Sequence, residues 1–348
     1  MDAWRAQGWN TNFQVSLVNV ADLTSGGVPR DGIPPIDEPR FVATAEADAW
    51  MKGREPVVAL EVGGAAKAYP LQILTWHEIV NDLAGDVPVA VTFCPLCNAS
   101  VVLDRRAYGA ILRFGVSGNL RYSDLIMWDN LTESWWQQLT GEGIAGDMAG
   151  VRLRPLASQL IAYDEFKASF PRGLVLGRDT GHERPYGVNP YAGYDRGEGR
   201  PFLFDGPLDG RLRPMDRVVA VSAGGEDAAY PFAELSKART INDTVGGEPI
   251  VVLWTPGTAS ALDRATIADG DAVGSGVAFG RVVDGRTLTL HAADGVFRDT
   301  ETGSTWSIAG VATAGPFQGR RLPPLVHANH FWFAWAAFKP DTRVYRAG

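Results

Sequence analysis

Residues 57–89 (VVALEVGGAAKAYPLQILTWHEIVNDLAGDVPV) and 218–250 (VVAVSAGGEDAAYPFAELSKARTINDTVGGEPI) align without a gap and share 13 of 33 positions. Unrelated sequences of average composition would share roughly two. The match continues with Ala99-Ser100 opposite Ala259-Ser260, Leu103-Asp104-Arg105 opposite Leu262-Asp263-Arg264, and Phe114-Gly115 opposite Phe279-Gly280. Asp129, Thr132, Ser134 and Trp136 answer Asp299, Thr302, Ser304 and Trp306 at a constant offset of 170. A fixed self-similarity of this kind constrains the fold before any element is assigned, because one unit must pack twice. The sequence therefore predicts copy one over 55–176 and copy two over 216–348, with an extended arm over 1–54 and a connecting loop over 177–215.

Each copy reads as a strand ending at Gly-Gly, a short strand into Tyr-Pro, and one helix of about 12 residues carrying Trp76, His77 and Glu78 in copy one. Several β-runs follow, such as VPVAVTF, SVVLD and EPIVVLW. SQLIAYDEFKASF and HANHFWFAWAAF read as closing helices, each followed by proline. Without regular strand-helix alternation a doubly wound parallel sheet is disfavoured. The expected class is α+β, internally duplicated and β-rich, with mostly antiparallel strands and two helices per copy.

The chain has 348 residues with 32 Lys plus Arg against 40 Asp plus Glu, a net charge of -8. No basic stripe suits a phosphate backbone, so no nucleic-acid partner is expected. The longest apolar runs fall far short of the roughly 20 residues of a membrane-spanning helix. MDAWRAQGWN lacks the features of a secretory signal, leaving a cytoplasmic chain or a processed one. No Gly-rich phosphate loop, nucleophile elbow or HExxH occurs, so nothing signals a nucleotide or flavin.

Two cysteines, Cys94 and Cys97, are too few to staple a fold of this size. Residues shared by both copies default to scaffold; those that differ carry the chemistry. Trp76-His77-Glu78 becomes Lys237-Ala238-Arg239, and Cys94-Pro95-Leu96-Cys97 becomes Thr255-Pro256-Gly257-Thr258. Joint loss from copy two suggests one site in copy one. Two thiolates and an imidazole suit Cu(I) or Zn(II), with Glu78 as a ligand or as a partner orienting His77. The alternatives are a structural or redox disulfide in a module that binds a small molecule or an envelope partner, a pair of inert thiols, and a Cys-His enzyme oriented by Glu78 or Asn98. A β-like ASVVLD after the CxxC counts against a thioredoxin-type centre, and Asn98 stands where covalent haem attachment needs His.

Around that site, Trp76, Glu133 and Trp135 with Asp179, Tyr186, Tyr191 and Tyr194 of the connecting loop are candidate pocket residues. The loop holds eight glycines and five prolines, and a connection of this length is more often functional or flexible than a plain link. His327 and His330 would share one helix face as further candidate ligands, although helix-start residues more often cap than ligate. Phe331, Trp332, Trp335 and Phe338 read as core.

The segments AYPLQILTWHEIVND, VTFCPLCNASVVLDR, FGVSGNLRYSDLIMWDNLTESWWQQLTGEGIAG and RDTGHERPYGVNPYAGYD, with DGIPPIDEPRF before them and HFWFAW after, span most of the chain. In these the chain resembles the bacterial and archaeal family catalogued as domain of unknown function 3179. The family's WHE and CPLC elements fall on Trp76, His77, Glu78, Cys94, Pro95, Leu96 and Cys97. The resemblance implies a site there and a periplasmic, extracellular or cell-envelope location. It names no ligand or reaction.

Overall fold

The computed structural model describes residues 7–19, 22–197, 200–293 and 295–347. The first six residues of the expected arm lie outside them. Strand Pro56–Val62 forms an antiparallel hairpin with Ala65–Pro70, turning at Gly63-Gly64. Gln159–Ala162 flanks the hairpin on one side and Leu174–Leu176 on the other, the latter pairing in parallel. Arg217–Ala223 and Glu226–Pro231 form the corresponding hairpin, flanked by His327–Phe331 and, in parallel, by Arg343–Val344. The other ladders between named strands are antiparallel, so the architecture is β-rich and mostly antiparallel, with five helices among the described residues.

Helix Leu71–His77 follows the first hairpin and Phe232–Ala238 the second. Both are shorter than the pattern predicts, because Glu78 (φ 57°) and Arg239 (φ 61°) turn left-handed and end them. The residues that would have extended each helix become strands Ile79–Ala84 and Thr240–Val245, paired with Val87–Cys94 and Glu248–Thr255. The closing helices shorten at their starts for the same reason. Gln159–Ala162 and His327–Phe331 satisfy their backbones in sheets, and helix begins only at Tyr163 and Trp332. His327 and His330 therefore lie on a strand, where a spacing of three places them on opposite faces. Among the described residues no helix is long and apolar enough to cross a membrane.

Shared residues make matching bonds in the two halves. The Tyr69 hydroxyl donates to Asp82 at 2.6 Å, and Tyr230 to Asp243 at 2.7 Å. Asn81 exchanges two hydrogen bonds with the Phe114 backbone, and Asn242 two with Leu290. Asp129 accepts from the Thr132 N–H and from Trp136 Nε1 at 2.9 Å; Asp299 accepts from the Thr302 N–H and from Trp306 Nε1, also at 2.9 Å. Tyr69, Tyr230, Asn81, Asp129, Asp299 and the two indoles are buried, so their bonds prevent unpaired buried groups, while Asn242 and Asp243 are half-buried.

The halves share their cores. In Pro56–Val62, Val58 and Leu60 join a cluster with Phe93, Val218, Phe331 and Trp332, while Val57 and Ala59 join one with Phe166, Val251, Leu253 and Trp306. Alternate side chains of one strand thus face two cores. The arm contributes more than surface covering. Leu23–Ser25 pairs with the edge of Phe114–Arg121, and Trp9 and Phe13 are buried against Trp135.

Asp129→Ala and Asp299→Ala should each destabilise the protein by about 1–3 kcal/mol per buried donor left unpaired. Urea unfolding followed by tryptophan fluorescence measures this, and equal losses in the two variants are expected.

Candidate metal centre

Two hairpin tips build the site. Val87–Cys94 and Ala99–Asp104 are antiparallel neighbours with Cys94 opposite Ala99, so the CxxC is their turn. Pro95–Cys97 forms a single 3-10 turn, and Asn98 reverses the chain at φ 49°. Phe114–Arg121 and Asp124–Asp129 form the second hairpin, turning through Tyr122 (φ 53°) and Ser123 (φ 64°). Two successive left-handed residues suit a two-residue hairpin turn, but without glycine each costs about 1–3 kcal/mol. That turn delivers the Ser123 carbonyl to the Cys94 thiol, which donates to it at 3.5 Å, and places Asp124 beside both cysteines.

The sulfurs of Cys94 and Cys97, both free thiols, and a carboxylate oxygen of Asp124 lie within 4.8 Å of one another, all buried. Asp124 Oδ2 accepts from Gln137 Nε2 at 2.6 Å and from the Leu139 N–H at 3.0 Å, and apart from these the carboxylate meets only the neighbouring thiols. Glu78 enters from the end of helix Leu71–His77. Its backbone carbonyl accepts from the Phe93 N–H, and Oε1 accepts the Tyr191 hydroxyl at 3.2 Å.

Burial dominates the electrostatics. It pushes the Glu78 carboxyl up to about 8 and that of Asp124 up to about 7, the latter partly offset by Gln137 and the Leu139 N–H. Burial raises the Cys94 thiol, partly offset by its hydrogen bond with Cys97, and pushes that of Cys97 well above its ordinary range, with the Cys94 sulfur adding to the rise. Protonated thiols of this kind are poor nucleophiles. A bound cation would reverse that balance, since ligand thiols and carboxyls release their protons to it.

His77 stands apart from this group. Its Nδ1 donates to the Pro34 carbonyl at 2.7 Å, and its Nε2 accepts the Tyr186 hydroxyl at 2.6 Å. Desolvation holds it neutral, with a pKa lowered to about 4. Both ring nitrogens of His77 are engaged, one of them by Tyr186 of the connecting loop, and Asp124 rather than His77 stands with the two cysteines in the buried group.

That loop closes the site. Tyr194 donates to the Leu96 carbonyl at 2.8 Å inside the CxxC, Tyr191 reaches Glu78, and Trp76 Nε1 donates to the Val188 carbonyl at 3.0 Å. Asp179 is exposed and pairs with Arg40. Trp135 is no pocket residue, because its ring is fully buried against Trp9 and Phe13. Glu133 turns left-handed (φ 55°) and ties down the arm through Asn10 and Arg30. His327 and His330 belong to a separate cavity.

Asp124 is the residue that the sequence reading missed. Its signal was an acid placed directly before the apolar run LIMW, where a solvent-facing turn residue is the ordinary expectation.

The raised carboxyls set the sign of a pH effect in metal-stripped protein. Glu78 and Asp124 hold protons when folded that they release when unfolded, between their ordinary values of 4.5 and 3.8 and the folded values of about 8 and about 7. Stability is therefore greatest below the unfolded values and falls as pH rises towards 8, at most by about 1.4 kcal/mol per pH unit for each group. Denaturant unfolding with chelator at pH 5 to 8 should show this fall, and Glu78→Gln should flatten it; a pH-independent stability would contradict the burial argument.

The family model described as Protein of unknown function (DUF3179) matches residues 30–342. No curated protein and no solved structure matches the chain. On the extent of the family match, the chain belongs to the DUF3179 family.

Proposed function

We propose that this protein binds one metal ion in its first half through Cys94, Cys97 and Asp124, with Glu78 as a fourth ligand or as the carboxylate that orients the others. The observation that carries this reading is two free thiols and a carboxylate oxygen within 4.8 Å of one another, all buried. One ligand shell can span that distance. Asp124 Oδ1 is engaged by no group other than the two neighbouring thiols, the groups a metal would bind together with it. Thiolates select zinc or Cu(I), and replacing an imidazole with a hard oxygen donor favours zinc.

The reading extends to the chain's organisation. The two halves are copies of one unit, and the second has exchanged the metal-binding groups for Thr255 and Thr258, with Arg239 in place of Glu78. An exported location fits the same picture, because burial and ligation would together protect a thiol pair in an oxidising compartment.

The test is elemental mass spectrometry on protein purified without chelator or affinity tag. Near-stoichiometric zinc or copper is expected. Cys94→Ser and Asp124→Asn should each lower metal content by at least about tenfold, a loss that even outer ligand partners can cause. His77→Ala should retain the metal. A native protein that stays metal-free after anaerobic reduction and reconstitution overturns the proposal.

A further inference from the structure

Strand His327–Phe331 lies near Ala99–Asp104, and beside them a cavity of about 550 Å³ opens between the two halves. That is an ordinary size for a small-molecule site. Aliphatic residues, including Val101, Leu139, Leu153 and Val326, make up about half of its lining, and most of the rest is polar or charged.

One wall is unusual. Trp335 and Phe338 sit one turn apart on helix Trp332–Phe338. The His330 ring stacks on Trp335 with centroids 5.3 Å apart, and the Arg121 guanidinium lies 5.4 Å from the Phe338 centroid. Arg121 makes no ion pair among the described residues, and its Nε is buried without a hydrogen bond. His330 is 1% exposed with Nδ1 unpartnered. His327 donates from Nδ1 to the Leu325 carbonyl and leaves Nε2 unpartnered, and Gln137 Oε1 is likewise unpaired. Buried polar groups are ordinarily satisfied, and with His327 on the opposite strand face from His330, the unpaired atoms of Arg121, His330 and Gln137 are the ones on this cavity that ask for a ligand.

Charge narrows the class. Arg121, Arg152 and Lys339 line the cavity against a single acid, Glu142. Arg152 pairs with Glu142 and Lys339 with Asp227, which leaves Arg121 as the uncompensated cation. A positive cavity in a chain of net charge -8 selects anions. The planar guanidinium fork matches a carboxylate, and the aliphatic and aromatic walls match an apolar body.

We infer that this cavity binds a small apolar monocarboxylate, with the carboxylate on Arg121, a polar contact to His330, and the hydrocarbon against Val101, Leu139 and Phe338. The inference stands on the cavity and does not require the metal. Gln137 nonetheless lines it while donating to Asp124, so the two sites share a residue.

Isothermal titration calorimetry on the full chain tests it, with octanoate and phenylacetate as probes and the corresponding amides as neutral controls. At least one acid should bind, with its amide at least about tenfold weaker, as expected when a charge-assisted bond is lost. Arg121→Met, which keeps the apolar stem over Phe338, should weaken the acid by about tenfold or more. Val326→Trp, at an exposed position of the rim, should also block binding, and it keeps the test decisive if Arg121→Met fails to fold. Binding of neither acid at millimolar concentration overturns the inference, as do equal affinities for acid and amide or undiminished binding by a folded Arg121→Met.

Discussion

The constraint on which the molecule depends is that its central strands have no solvent face. Pro56–Val62 presents Val58 and Leu60 to one core and Val57 and Ala59 to another, and Arg217–Ala223 is likewise divided between two clusters. Fully burying each such side chain contributes about 1.5–3 kcal/mol, and these strands also require every backbone group to be paired. The flanking pairings, including Gln159–Ala162 and His327–Phe331, follow from that requirement. So does the shortness of the helices, whose flanking residues are claimed by sheets.

Within this frame the halves differ most where the candidate centre lies. At the end of its first helix one half has Glu78, buried beside two thiols and Asp124; the other has Arg239, whose guanidinium lies over Trp254 at 5.0 Å. The backbone is the same in both, left-handed and accepting a bond from the neighbouring strand. A cation lying on an indole satisfies itself locally. An acid buried among other acids does not, and that electrostatic deficit exists only in the first half.

Much of the arrangement was legible in the sequence because matched residues do matched work. Asp129, Thr132, Ser134 and Trp136 could be assigned to scaffold from their counterparts alone, and CPLC and Glu78 could be marked because theirs had changed. His77 carries the same mark but serves to hold Tyr186, since a difference between aligned segments reports a local role without naming it. Asp124 escaped because its place depends on a hairpin turn, Tyr122-Ser123, made without the glycine or asparagine that would announce it. The closing segments were read as helix from their start because HANHFWFAW and SQLIAYDEF have apolar spacing compatible with either period. Only the neighbouring strand decides between them.

Tyr194 and Tyr191 place the connecting loop across the CxxC by bonds to Leu96 and Glu78, and the Asp195 carboxylate two positions away from Gly193 is locked to the buried Arg217 at 2.6 Å. An ion bound by Cys94 and Cys97 would lie under a segment held by these three contacts. Loosening those contacts would then speed exchange without changing the ligands, so two variants of equal affinity could differ in how fast they exchange.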